Sequence, residues 1–126
     1  MENFVVNSTK YTPRIELDYS QKCLKIEGES YPENALETFQ PLLDKLDEYF
    51  AEPDKELKVE LIVDYLNTSS SKMMNDIIGR LQTAHDNGNK VELTWFYPED
   101  DIDCQETCEL FLEDATFPYS ITELKD

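Results

Sequence analysis

The chain has 126 residues, and its 28 acidic against 11 basic side chains give a formal net charge of −17. This length suits one domain around one core, and a hydrophobic fraction of 40% argues against a disordered chain. Such a negative surface repels the phosphates of nucleic acids and the anionic headgroups of membranes. We therefore expect a single domain over residues 1–126 that binds neither nucleic acid nor membrane.

The sequence also predicts where the protein works. No apolar run approaches the roughly 20 residues that a transmembrane helix needs. The opening segment, Met1 to Val6, has neither the basic start nor the long apolar stretch of a signal peptide. Three cysteines, an odd number, fit a reducing compartment better than a disulfide framework. These features predict a cytoplasmic protein, and we expect a bacterial or archaeal one.

Strand patterns dominate the first 27 residues. A short strand begins at Phe4, and the alternating apolar residues Ile15, Leu17 and Tyr19 predict a half-buried strand. Leu24 and Ile26 alternate in the same way after a turn. The two longer segments are therefore predicted to form a hairpin.

A first helix is predicted to begin at Ser30-Tyr31-Pro32-Glu33. Ser30 or Tyr31 takes the cap, and Pro32 lies in the first turn, where its missing N–H costs nothing. Pro41 lies inside the pattern and predicts a kink or a break. The apolar residues that follow recur every three or four positions, as on one helical face: Ala35, Phe39, Leu42, Leu43, Leu46, Tyr49 and Phe50.

The remaining chain alternates between strands and helices. In order, the patterns predict a strand over 57–63, a helix from Asn67 to Gly88, a strand over 91–97, a helix entered through Glu99–Asp103, and a short strand over 117–121. Alternation of this kind produces crossover connections and parallel pairing. The predicted fold is α/β, with helices packed on a mixed sheet.

Metal binding and nucleophilic catalysis find little support in the sequence. The single histidine, His85, lies near the apolar face of the second helix, and nothing pairs with Cys104 and Cys108 at zinc-site spacing. A Gly-rich phosphate loop and a Gly-x-Ser-x-Gly elbow are both missing from the sequence. We expect no metal site, no cofactor and no enzymatic activity.

The acidic run Glu99–Asp103 invites a calcium interpretation. A calcium-binding loop that started at Asp101 would need glycine sixth and glutamate twelfth, but Glu106 and Leu112 stand there. Acidic residues in a first helical turn are stabilised by the helix dipole, which explains the run without a ligand. An acidic docking surface and, less favoured, an enzyme that uses these carboxylates stay open as alternatives.

Four consecutive hydroxyl residues, Thr68 to Ser71, follow Asn67 where a buried strand leads into the second helix. Capping needs only one such side chain, and the carboxyl end of a strand is where α/β sheets place their sites. A phosphate there would meet free N–H groups, expected near Ser70 and Ser71, and Lys72 could pair with it. The segment predicts either plain capping or a phosphorylation switch that leaves the fold intact.

Several segments together resemble the SiaC family of small bacterial regulatory phosphoproteins. They are Ser30–Ala35, Pro41–Leu43, Tyr65–Lys72 and Trp95–Tyr97 with the acidic run that follows. The resemblance extends from Thr12 to Pro118. It implies a fold like that of STAS domains, the fold that anti-sigma-factor antagonists adopt, with helices on a mixed sheet.

The resemblance also implies a function. Thr68 matches the family's phosphorylation site, which a kinase of the anti-sigma-factor type modifies and a PP2C-type phosphatase restores. The unphosphorylated form is expected to bind and activate a diguanylate cyclase, which raises cyclic di-GMP and favours biofilm or aggregation. An anti-sigma-factor antagonist that acts on transcription is the alternative. The expected switch and partner-binding residues are Asn67, Ser69, Ser70, Ser71 and Lys72, with Tyr31, Pro32, Glu33 and Asn34 bordering the same face.

Overall fold

A computed structural model describes residues 3–124. Met1, Glu2, Lys125 and Asp126, which the predicted domain includes, lie outside the described residues. The strands are β1 (Phe4–Val6), β2 (Arg14–Asp18), β3 (Cys23–Glu27), β4 (Glu56–Ile62), β5 (Lys90–Pro98) and β6 (Tyr119–Leu124). The helices are α1 (Ala35–Phe50), α2 (Thr68–Asp86) and α3 (Ile102–Leu112). This order of strands and helices confirms the predicted one.

The six strands form one mixed sheet in the order β1-β2-β3-β4-β5-β6. The first three pair antiparallel, and β3 to β6 pair parallel through helical crossovers. Because the strand order follows the chain, right-handed crossovers place all three helices on one face. The predicted α/β fold, a single mixed sheet with helices packed on it, is therefore confirmed.

The core lies between the helices and one face of the sheet. Register aligns the buried residues Ile15, Ile26, Leu61 and Trp95 in one row across four strands. Alternate residues such as Glu16, Lys25 and Glu60 occupy the opposite face and are at least partly exposed. This alternation is typical of a sheet with one covered face and one solvated face.

The first helix begins later than predicted. Asn34 is its N-cap, since the side chain accepts a hydrogen bond from the Glu37 amide, so the prediction of a start at Ser30–Glu33 was wrong. Long-range hydrogen bonds hold Ser30 and Tyr31 in an extended path before the helix. Pro41, where the sequence predicts a kink or a break, lies on the exposed side of α1, and the helix continues through it, so the alternative of a break was wrong.

The other helix and strand ends lie within a few residues of the predicted ones. Helix α2 ends before Gly88, whose positive φ of 95° and N–H bond to the His85 carbonyl fit the predicted stop. Strand β6 begins at Tyr119, later than predicted, and Phe117 is instead buried in the core. No helix within residues 3–124 has the length and apolarity to cross a membrane.

Candidate phosphorylation and partner site

Asn67 caps the second helix, and none of the hydroxyl residues does. Its Oδ1 accepts the Ser70 amide at 2.9 Å, and its Nδ2 donates to the Pro32 carbonyl at 2.8 Å. Asn67 therefore satisfies the helix end and ties it to the segment before α1. The cap leaves all four hydroxyls free of this task.

Thr68 is the first residue of α2, and its side chain is exposed. The amides of Ser70 and Ser71 are bonded to Asn67, so the expectation that they could hold an anion was wrong. Within residues 3–124, the first two helical amides, of Thr68 and Ser69, have no acceptor. The free donors at this helix end therefore lie beside the exposed hydroxyl.

Ser70 is fully buried and paired with another serine. Its hydroxyl lies 2.7 Å from the hydroxyl of Ser30, which is also fully buried. A phosphate on Ser70 would have to displace this pair from the core, where an uncompensated charge is strongly disfavoured. Of Thr68 and Ser70, only Thr68 therefore has an exposed side chain.

The segment around Ser30 lies directly against the start of α2. Ser30 forms a parallel bridge with Leu66: its N–H donates to the Tyr65 carbonyl, and its carbonyl accepts the Asn67 N–H, both at 2.9 Å. Tyr31 packs edge-on against Tyr65, with ring centroids 6.1 Å apart. The structure thus brings together two segments that are more than thirty residues apart in the chain.

We call the region where residues 30–34 meet residues 65–72 the corner. The other predicted site residues lie around it and differ in how deeply they are buried. Ser69 is half-buried, with its hydroxyl 3.5 Å from the Pro32 carbonyl and 3.4 Å from the Asn67 Oδ1. Ser71 is half-buried, whereas Lys72 is exposed. Glu33 and Asn34 are exposed on the neighbouring segment. Of the four hydroxyl residues Thr68 to Ser71, only Thr68 is therefore classed as exposed.

A cavity of about 400 Å³ opens beside the corner, and the sequence did not indicate it. Its walls come from the segment between β4 and α2, from Trp95 in β5 and from the starts of α2 and α3, and they include Asp64, Tyr65, Ser71 and Asp103. Burial raises the pKa of the Cys104 thiol in its wall, and the charge of Asp101 raises it further. The thiol therefore stays protonated and is a poor nucleophile or metal ligand.

The remaining candidates have packing roles. Cys108 is fully buried, and burial raises its pKa strongly. His85 is half-buried and lies edge-on to Phe117, with centroids 6.4 Å apart. In the part of the chain that the structure describes, no three His, Cys, Asp or Glu side chains come together as a metal site.

Because Asn67 caps α2 and Thr68 does not, the two residues should differ in their contribution to the free energy of unfolding. Thr68→Ala should lower the free energy of unfolding by less than about 0.5 kcal/mol, as is usual for exposed substitutions, whereas Asn67→Ala should cost about 1–2 kcal/mol through the lost cap. Urea unfolding followed by circular dichroism measures both. If Thr68→Ala proved as costly as Asn67→Ala, the assignment of the cap to Asn67 would be incorrect.

Taken together, the fold and this corner define a class: a single-sheet α/β domain that presents an exposed threonine at the first position of a helix. Residues 6–124 match the SiaC family of regulatory phosphoproteins. The chain belongs to the SiaC family, which confirms the resemblance seen in the sequence.

Similar proteins of Pseudomonas aeruginosa agree with this assignment. A protein of strain UCBPP-PA14 is 37% identical over 121 residues, which cover 96% of each chain. The structure of apo-SiaC matches with a TM-score of 0.90 and 38% identity, over 97% of this chain and 99% of that one. A chain in the crystal structure of the diguanylate cyclase SiaD in complex with its activator SiaC matches with a TM-score of 0.92 and 36% identity, over 96% of this chain and 99% of that one.

Proposed function

We propose that this protein is a partner-switching adaptor whose unphosphorylated form binds and activates a diguanylate cyclase. The match over nearly the whole chain to SiaC in its complex with the cyclase SiaD carries the proposal. In this role the protein acts on the cyclase by binding and catalyses no reaction itself. Activation raises cyclic di-GMP and favours biofilm or aggregation, and the protein works in the bacterial cytoplasm.

Thr68 is the proposed regulatory acceptor. Its hydroxyl is exposed, and capping does not use it, whereas the Ser70 hydroxyl is buried against Ser30. A kinase of the anti-sigma-factor type transfers the γ-phosphoryl group of ATP to this oxygen. The bond from phosphorus to ADP breaks as the new bond forms, and the hydroxyl proton passes to a base on the kinase. A PP2C-type phosphatase hydrolyses the ester and restores the hydroxyl.

The phosphate changes the surface and leaves the fold in place. It adds about −1.5 to −2 charges at neutral pH, at a helix end where the amides of Thr68 and Ser69 are free. An anion at this end is stabilised by those donors and by the helix dipole. A partner that packs on the corner would have to bury this dianion, which is costly. Phosphorylation therefore releases the cyclase.

The test compares the two forms of the protein in binding and activation. Unmodified protein should bind the diguanylate cyclase of the same host and stimulate synthesis of cyclic di-GMP, and stoichiometric phosphorylation by the kinase should abolish both. Mass spectrometry should place the phosphate on Thr68. Thr68→Ala is the matched control, which should keep activating the cyclase in the presence of kinase and ATP.

Two results would contradict the proposal. One is equal stimulation of the cyclase by the phosphorylated and unphosphorylated forms. The other is co-purification from the host with a sigma-binding kinase and with no cyclase, which would instead indicate an anti-sigma-factor antagonist.

A further inference from the structure

Three tyrosines from separate parts of the chain form a continuous aromatic surface next to Thr68. Tyr11 and Tyr31 pack edge-on with centroids 5.4 Å apart, and Tyr31 packs against Tyr65 at 6.1 Å. Tyr11 and Tyr65 are 49% and 53% exposed. Asn67, the residue before Thr68, donates its N–H to the carbonyl of Ser30, the residue before Tyr31, so the tyrosine surface lies beside the helix end that carries Thr68.

The backbone fixes the tyrosine surface in advance of any binding event. The Tyr31 N–H donates to the Tyr11 carbonyl at 2.8 Å, and the Ser30 N–H donates to the Tyr65 carbonyl at 2.9 Å. Rigid aromatic side chains lose little conformational entropy when a partner covers them, and tyrosine is enriched among the residues that dominate binding energy. The arrangement is therefore well suited to docking.

The negative charges beside the tyrosine surface favour a partner with basic side chains. The cavity of about 400 Å³ next to Tyr65 carries the carboxylates of Asp64, Asp101 and Asp103, and among residues 3–124 no Lys, Arg or His lines it. One carboxylate oxygen of Asp101 accepts the Cys104 amide as the α3 cap, whereas Asp64 and Asp103 are exposed. An enzyme that transfers phosphoryl groups surrounds the phosphates of ATP with lysine, arginine or metal cations. A kinase surface that carries basic side chains beside its nucleotide site would complement this acidic cavity.

We propose that the tyrosine surface and the adjoining cavity form the docking surface for the kinase that modifies Thr68. The inference rests on the proposed function, and it identifies what selects Thr68 as the substrate. The kinase stacks cationic and apolar side chains on Tyr11 and Tyr65 and places a basic side chain in the cavity. Selection then depends on the folded surface and not on the linear run of hydroxyl residues.

Steady-state kinetics of phosphorylation tests the proposal. With Tyr11→Ala and Tyr65→Ala, we expect the KM of the kinase for this protein to rise about tenfold or more, with kcat retained at saturation. Tyr119→Ala is the matched control, because Tyr119 is 41% exposed and lies on β6. Circular dichroism verifies that each variant is folded. Tyr65→Phe keeps the ring and should restore most of the lost affinity.

A second pair of variants tests the cavity. Asp103→Asn should raise KM and weaken its dependence on salt, since one charge of the encounter is removed. Asp114 is exposed beyond the other end of α3. Asp114→Asn should change neither KM nor its dependence on salt. The two Asp→Asn changes alter the net charge equally. A difference between their effects on KM therefore reflects where each charge lies.

The outcomes separate this inference from the proposed function. If wild-type protein receives no phosphate on Thr68 from the kinase, the proposed switch fails and the docking surface fails with it. If wild type is phosphorylated but Tyr11→Ala and Tyr65→Ala behave like Tyr119→Ala, only the docking inference is overturned. Unchanged kinase kinetics with lost cyclase binding would overturn it as well, because the tyrosine surface would then belong to the cyclase.

Discussion

Replacing Trp95 by alanine should remove about 3–5 kcal/mol of the free energy of unfolding, the range for truncating a buried aromatic side chain. Trp95 is 1% exposed, and its ring lies 5.4 Å from that of Phe111. Its indole N–H donates to the Val63 carbonyl at 3.1 Å. The side chain thus joins the end of β4 to α3, beneath the cavity beside Tyr65.

The measurement is denaturant unfolding followed by far-ultraviolet circular dichroism, because Trp95 is the single tryptophan and its fluorescence disappears with it. Trp95→Phe should cost less than Trp95→Ala, since it retains most of the buried area but leaves the Val63 carbonyl without this donor. Leu110→Ala, at a side chain 69% exposed, should stay within about 0.5 kcal/mol of wild type. A loss below about 1 kcal/mol for Trp95→Ala would contradict its assigned place in the core.

The second large effect is expected at the buried serine pair. Ser30→Ala or Ser70→Ala leaves the partner hydroxyl buried without its bond, which costs about 1–3 kcal/mol. The double variant leaves neither hydroxyl behind, so its cost should be well below the sum of the single costs. The same unfolding measurement on all four proteins gives the coupling energy, expected at about 0.5–3 kcal/mol.

An exposed hydroxyl pair gives the matched control for this cycle. The hydroxyls of Ser120 and Thr94 lie 3.3 Å apart in a solvent-exposed contact on neighbouring strands. Water replaces either lost partner there, so the coupling energy should be near zero. If the Ser30–Ser70 cycle gave the same small coupling, the buried pair would add nothing to the backbone bonds and the Asn67 contact that join the segment before α1 to the start of α2.

The fold could be predicted from the sequence because its signals are local. Alternation along 57–63 and 91–97 and the helical spacing before Gly88 reflect which side of each element faces the core. The predicted start of α1 was wrong because the contacts that decide it are not local. Pro32 resembles a first-turn residue, but the preceding segment is held extended by hydrogen bonds to Tyr11 and Tyr65, which local propensity does not contain.

At the site, too, some features could be predicted from local sequence and others depend on the fold. The run of hydroxyl residues singled out Thr68 to Ser71 as a group, and within it only the family resemblance pointed to Thr68. Only the fold places Ser70 in the core against Ser30 and leaves Thr68 exposed at the helix end. A side chain's depth depends on which distant segment packs over it, and in this protein that segment is the one around Ser30.

By itself, the sequence determined the order of strands and helices, the family, and the segment in which regulation is expected, because periodicity and motif are written in neighbouring residues. The tertiary structure alone decided which residue caps α2, which amides remain free, and that Tyr11, Tyr31 and Tyr65 meet beside Thr68. These features depend on contacts between residues that are far apart in the chain, and such contacts exist only once the sheet has assembled.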